Sequence, residues 1–315
     1  MAFSHNLKQG IDLPIYQWLR FMPASSSAGS CICNDERGTD RFIYFIFSAT
    51  SFWRYDTWTD SWQQLANPPS FTFGAGTAMV FDPSQGTQGK IWLFGPSSSS
   101  PYAIFAVYNI ASNTWTSKTA PSGLAAQWGT DAGLIHTCTA YNTAGNDDYI
   151  YLIGNNATTF YRYSISGNSW STLAAVPGSI GAGCAIHWDW GTDGDADKLY
   201  VLRGAGVATL YRYSISGNSW TTITYNPATE TFTTGTTTAY DPARRRIWIQ
   251  KDATHRMYYL DLASSILYPG GLWPYSTGTA MVGDGLCYVK TPDGAEYLYY
   301  RRQSGTEFWR TLIFF

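Results

Sequence analysis

Charge is in short supply in this chain. Only 13% of its 315 residues are Asp, Glu, Lys or Arg, and the formal net charge is −2. Nucleic-acid binders gain affinity when Lys and Arg displace counterions from phosphates, so a chain with no basic field is excluded from that class. No apolar run approaches the ~18 residues of a membrane-spanning helix, so membrane insertion is not expected. No basic stretch followed by an apolar core opens the sequence, so no signal peptide is expected and synthesis in the cytoplasm is. Cysteine is scarce and odd in number, with five residues: Cys31, Cys33, Cys138, Cys184 and Cys287. They read as small buried side chains and not as a disulfide framework.

What is abundant is aromatic residues and repetition. Aromatics make up 17% of the chain, including 14 Trp and 23 Tyr. The decapeptide YRYSISGNSW occurs at Tyr161–Trp170 and again at Tyr211–Trp220. Self-similarity at such a spacing is the signature of a repeat fold. Degenerate copies run from Phe52 to Trp62 and from Ala106 to Trp115, and a fifth, beginning at Tyr258, replaces the Trp by Leu267. A hydrophobic run precedes each copy: Ile91–Phe94, Tyr149–Ile153, Leu199–Leu202 and Ile247–Ile249. A small-residue strand precedes each of those: Gly76–Asp82, Thr137–Asn142, Cys184–Asp189 and Thr236–Asp241. Each unit is thus four short strands separated by Gly, Asn, Asp and Pro turns.

Four strands per unit make a β-propeller blade, and the spacing predicts an all-β, six-bladed propeller with four antiparallel strands per blade. The last blade is read as Thr279–Val282, Leu286–Val289 and Glu307–Arg310, one strand short. The segment from about 14 to 23 carries Trp18 and Pro23 in the outer-strand pattern with no blade before it. It is expected to complete the last blade and close the ring, removing two open sheet edges. Residues 14–315 are then one propeller domain and residues 1–13 an N-terminal arm. The structural anchors of the outer strands are Trp18, Trp62, Trp115, Trp170, Trp220 and Leu267, each covering its own blade. The turn before each Trp needs residues that tolerate positive φ, which Gly and Asn do. Four of the cysteines fall on inner strands and Cys287 on a second strand.

The motif from Tyr55 to Trp62 (Tyr-Asp-x-x-Thr-x-x-Trp) resembles the Kelch repeat, and the resemblance spans about residues 16–315. It departs from that family in the Gly-Gly pair that follows the second strand; Phe94-Gly95, Ile153-Gly154 and Arg203-Gly204 stand there instead. The family holds partner-binding adaptors, lectin-like proteins and the propeller of a copper oxidase, so the resemblance implies a fold and not one function. Low charge with abundant aromatic, Ser, Thr and Gly residues is also similar to phage virion proteins, in whose tail nozzles propellers occur.

His136 and His187 fall on inner strands of adjacent blades and are expected to line the central channel. Two converging imidazoles fall short of the three or four ligands of a metal site. Asp193, Asp195 and Asp197 alternate as in calcium loops, but the loop lacks the Gly at position six and the Glu at position twelve. They are expected to form an exposed acidic hairpin. Arg54, Arg162, Arg212 and Arg310 share one position on third strands and are expected to stack on aromatics along the blade faces. Arg244-Arg245-Arg246 is expected at a solvated hairpin tip. No cofactor is implied. The expected function is a non-catalytic structural or interaction propeller whose partners are other protein subunits, with a virion component as its example. The alternative is a carbohydrate-binding propeller in which Trp128, Trp190 and Trp273, outside the repeated positions, stack on glycans. A propeller glycosidase has only family breadth behind it.

Overall fold

The computed structural model describes residues 16–25, 30–35, 40–69, 76–96, 103–122, 133–137, 148–153, 158–189, 197–251, 254, 256–273, 285–302 and 305–313. Every regular element among them is a strand, and none is a helix long and apolar enough to cross a membrane. The chain opens with β1 (Tyr16–Trp18). Blade one is β2 (Cys31–Asn34), β3 (Phe42–Ser48), β4 (Ser51–Asp56) and β5 (Ser61–Gln64). Blade two is β6 (Ala78–Asp82), β7 (Lys90–Pro96), β8 (Ala103–Asn109) and β9 (Thr114–Lys118). Blade three is β10 (Gly133–Thr137), β11 (Tyr149–Ile153), β12 (Phe160–Ser164) and β13 (Ser169–Thr172). Blade four is β14 (Ala185–Trp188), β15 (Lys198–Leu202), β16 (Thr209–Ser214) and β17 (Ser219–Thr224). Blade five is β18 (Thr237–Asp241), β19 (Arg246–Gln250), β20 (Arg256–Asp261) and β21 (Ile266–Leu272). Blade six supplies β22 (Gly285–Lys290), β23 (Glu296–Arg301) and β24 (Phe308–Leu312).

Six four-stranded antiparallel sheets result, and the last has the order β1-β24-β23-β22. This is the expected six-bladed propeller with its ring closed by the N-terminal strand. β1 pairs Tyr16 with Thr311, Gln17 with Arg310 and Trp18 with Trp309. The pairing continues as Leu19 N–H donates to the Phe308 carbonyl (3.0 Å) and Met22 N–H to the Thr306 carbonyl (2.9 Å). Leu19 and Met22 are buried, so the closing segment adds apolar burial to its hydrogen bonds.

Three details differ from the sequence reading. In blade six, Leu286–Val289 lies on the first strand and Glu296–Arg301 forms the second; Thr279–Val282 lies outside the described residues. Cys287 is therefore on an inner strand, where a small side chain is needed. In blade three the inner strand is β10, upstream of the expected 137–142. The third difference is the anchor register. Tyr55, Tyr108, Tyr163, Tyr213 and Leu260 pair with Trp62, Trp115, Trp170, Trp220 and Leu267. Their counterpart Thr311 pairs with Tyr16, not Trp18. Side chains on one face of a strand recur every second residue, so the two-residue offset keeps Trp18 on the same face but moves it along the strand. There it takes the place held by Gln64 in blade one, an exposed position, and it is 45% exposed.

The core is six apolar clusters, each joining two neighbouring blades. The repeated motif explains how. Trp220 rests against Tyr213 of its own blade (4.8 Å between ring centroids) and against Phe160 of the preceding blade (5.1 Å). Trp170 does the same with Tyr163 and Phe105, and Trp115 with Tyr108 and Phe52. The anchors thus fasten blade to blade and do more than cover their own sheet. Their indole N–H groups donate at 2.8 Å to carbonyls of the previous blade: Trp115 to Ala66, Trp170 to Thr119 and Trp220 to Ala174.

The turn residue completes the clip. Asn113, Asn168, Asn218 and Asp60 take positive φ (54°, 47°, 43° and 49°), which short polar side chains tolerate. Their Oδ1 atoms accept the hydroxyls of Tyr108, Tyr163, Tyr213 and Tyr55 at 2.6–2.8 Å. Asn113 and Asn218 also accept the backbone N–H of Ala66 (2.8 Å) and Ala174 (2.9 Å). One residue of the preceding blade is therefore held by both its N–H and its C=O. Gly167 and Gly217 are not the positive-φ residues of these turns. A Cβ on Gly167 would lie 2.7 Å from Ser164 Oγ, the atom that accepts the Gly167 N–H, so glycine is there for close approach.

Candidate functional site

Some of the charged residues serve the same task. Arg244-Arg245-Arg246 lies at the β18–β19 turn, yet it is no solvated tip. Arg244 bonds Asp241 (3.1 Å) and reaches Glu296 of blade six. Arg245 bonds Asp189 of blade four through Nε (3.0 Å) and Nη2 (2.6 Å). Asp189 is fully buried and also accepts the Tyr240 hydroxyl at 2.9 Å. The turn therefore ties blade five to both neighbours, and its sequence hides this because the neighbouring blades' carboxylates, Asp189 and Glu296, lie more than fifty residues away.

Three of the four third-strand arginines stack as expected. Arg54 lies over Phe42 (4.1 Å), Arg162 over Tyr149 (4.4 Å) and Arg310 over Tyr297 (4.7 Å). Blade five exchanges the partners: Arg246 of the second strand lies over Tyr259 of the third (4.4 Å). Blade four has Lys198 at the aromatic position beside Arg212.

A cavity of about 180 Å³ opens at the ring axis, lined by inner strands β2, β6, β14, β18 and β22. His187 lines it, as expected. Its Nε2 bonds the Thr238 hydroxyl at 2.8 Å, and burial lowers its pKa to about 4, so the ring is neutral near pH 7. A neutral imidazole linking blades four and five is a structural element. His136 occupies the middle of β10, opposite Ile150. Asn34 Nδ2 donates to the Tyr288 carbonyl at 2.8 Å and joins blade one to blade six beside the cavity.

Of the alternating carboxylates, Asp193 and Asp195 lie outside the described residues. Asp197 accepts hydrogen bonds from the hydroxyls of Ser214 (2.7 Å) and Ser216 (2.8 Å) and from the Ser216 N–H (2.7 Å). Burial opposes its charge, but these bonds outweigh it and hold its pKa below the usual carboxylate range. Among the described residues no group of three or more His, Cys, Asp or Glu side chains is placed to hold a metal.

Trp128 and Trp190 lie outside the described residues. Trp273 is only 2% exposed and stacks on Tyr300 (5.0 Å), so it is a packing residue of the interface between blades five and six. Five other large apolar side chains are exposed among the described residues. Four belong to the outer edges of blades five and six: Trp18, Phe21 (59%), Tyr268 and Leu272 (59%). Trp18 packs on Trp309 (4.2 Å) and Phe21 (5.5 Å). Trp309 and Trp273, both buried, share the apolar cluster between the two blades beneath these edges. The fifth, Trp58 (52%), stands by itself on the β4–β5 turn of blade one. Sequence reasoning named none of these as exposed, and it gave Trp18 only as a packing anchor. For Trp58 a signal was present: the equivalent turns carry Ala111, Ser166, Ser216 and Ala263.

No protein-family model matches the chain, and no curated protein matches its sequence. Solved structures do resemble it. The protein described in "Structure of YjhT" aligns over 92% of this chain and 95% of its own, with a TM-score of 0.58 and 12% identity. An auxiliary nutrient binding protein from Bacteroides thetaiotaomicron VPI-5482 aligns over 91% of this chain and 69% of its own, with a TM-score of 0.59 and 10% identity. At such identities the similarity establishes the fold alone.

Proposed function

We propose that this propeller is a non-catalytic interaction module that docks against other protein subunits of a large assembly, such as the tail or head–tail region of a phage virion. The observation that carries this reading is the concentration of exposed apolar side chains on the outer edges of blades five and six. Exposed apolar side chains gathered on neighbouring edges suit an interaction surface better than scattered single ones do. Support also comes from charged side chains committed to bonds within the fold, Arg244, Arg245, Asp189 and Glu296 among them. The test is density-gradient fractionation of the native source, with this chain followed by mass spectrometry. Co-sedimentation with a large particle at fixed stoichiometry is expected. Recovery only in the light fraction overturns the assembly reading.

A second reading, glycan binding, is favoured by the exposed indole of Trp58. The name of the nutrient-binding structural neighbour is consistent with it. Trp273, being buried, is no longer a candidate for that role.

A further inference from the structure

Blade one carries a surface feature that no other described blade repeats. Arg41 and Phe42 enter β3, and Trp58 stands on the neighbouring turn. The Arg41 guanidinium lies over the Trp58 ring (4.5 Å) and over the Phe42 ring (5.0 Å), while Arg54 lies over Phe42 (4.1 Å). The result is a ladder of alternating aromatic and guanidinium groups, Trp58–Arg41–Phe42–Arg54, ending in an indole. Asp56 holds Arg41 in a two-pronged bond (2.9 and 2.6 Å), and its Oδ1 also accepts the Trp58 N–H at 3.0 Å. The Thr57 N–H and hydroxyl both donate to the Arg41 carbonyl, at 3.0 and 2.8 Å. Both the backbone and the neighbours of Trp58 are thus fixed before any ligand arrives.

With the guanidinium on one face, the 52% exposure of Trp58 falls on the opposite face and the ring edges. Packing gives no reason for a Trp here, because Ala or Ser fills the same turn position in blades two to five. We propose that Trp58 is the stacking platform of a carbohydrate-binding site on blade one, receiving the C–H face of a neutral sugar ring. This rests on the glycan reading above and is independent of the assembly reading. A flat, preorganised indole suits such a ring, whose weakly positive C–H groups meet the negative π face. The polar atoms beside the indole, including the exposed Thr59 hydroxyl, suit sugar hydroxyls.

The alternative ligand for an exposed indole is a cation, such as a Lys or Arg of a partner protein. The geometry disfavours it. One face of the ring already holds a guanidinium, and a second cation would meet the first across the ring. The nearby carboxylates are engaged within the fold: Asp56 by Arg41, Asp60 by the Tyr55 hydroxyl at 2.7 Å, and Asp35 by the Phe42 N–H at 2.8 Å.

The test uses the full-length protein, fluorescently labelled, on an array of oligosaccharides with hexose, N-acetylhexosamine and sialic acid termini. A hexalysine peptide is titrated in parallel. The wild type is expected to bind a subset of neutral glycans. Trp58→Ala should lose about tenfold or more of that signal, as for a central aromatic contact, and Trp58→Phe should retain an intermediate part. Phe21→Ser, aimed at the assembly surface, should leave it unchanged. Melting temperatures of the Trp58 variants should match the wild type, since the ring lies outside the core clusters. Equal glycan binding by wild type and Trp58→Ala overturns the platform and leaves the glycan reading standing elsewhere. No glycan binding overturns both. Hexalysine binding that depends on Trp58, without glycan binding, reassigns the indole to a basic partner.

Discussion

Between blades three and four, Trp220 packs on Tyr213 and Phe160 and donates its indole N–H to Ala174. One interface further round, Leu267, Leu260 and Leu210 occupy the corresponding positions in a single apolar cluster. The leucine side chain has no N–H to donate, and the backbone takes over. Asn226 N–H donates to the Ser265 carbonyl (3.0 Å), and Leu267 N–H donates to the Asn226 carbonyl (2.8 Å). The Arg244 and Arg245 bonds add charge-assisted ties at the same side of the ring. Both interfaces combine an apolar filler with a polar tie to the residues just after the preceding outer strand. Tryptophan with asparagine is one way to supply both, and it is the way that leaves a visible repeat.

The largest way to break this comparison is to remove the seam. Deleting residues 1–23 exposes the edge of β24 and removes Leu19 and Met22 from the core; loss of the cooperative melting transition or oligomerisation is expected, read by calorimetry and sedimentation. Arg245→Ala comes next. It deprives the fully buried Asp189 carboxylate of its guanidinium and should cost about 3–5 kcal/mol in urea unfolding. Trp220→Ala should cost about 3–4 kcal/mol, and Trp220→Leu clearly less if the leucine interface is an equivalent solution; equal losses for the two would refute that equivalence.

A smaller effect concerns pH. The folded pKa of His187 is depressed to about 4, below the ~6.5 of an unfolded histidine. The unfolded state then binds the proton first, so stability falls as pH drops from about 6.5 to 4 and this contribution flattens below that range. The total is about 3 kcal/mol. His187→Gln should remove the slope in that window. Asp56 adds a separate acid loss between about 3.8 and 2, since burial opposes its charge but the Arg41 and backbone bonds lower its pKa to about 2.

The blade count and the ring closure were legible because YRYSISGNSW and its degenerate copies mark every outer strand but one. The register of β1 was not. Trp18 is the conspicuous residue of that segment, but Tyr16 is the one set opposite Thr311, and only the pairing distinguishes two residues on the same strand face. The Arg244–Arg246 turn misled for a related reason. Local composition says solvated basic turn, while its partners Asp189 and Glu296 become neighbours only once three blades stand side by side. For blade six, the short apolar run Thr279–Val282 was taken as a strand ahead of the true inner one. Trp58 was hidden in plain view, since its motif was read for what it shares with the other blades and not for where it differs.

The bond between Arg310 and Gln17 spans 293 positions of the chain. A ribosome working from the N-terminus therefore makes β1 before the other described strands and its partner β24 after them. Until then the buried faces of Leu19 and Met22 have no place to go, and no earlier blade can substitute, because each already carries its own fourth strand. The closing pair acts as a proof of length: any product interrupted before β24 is left with an unmatched opening strand at one end and an incomplete sheet at the other.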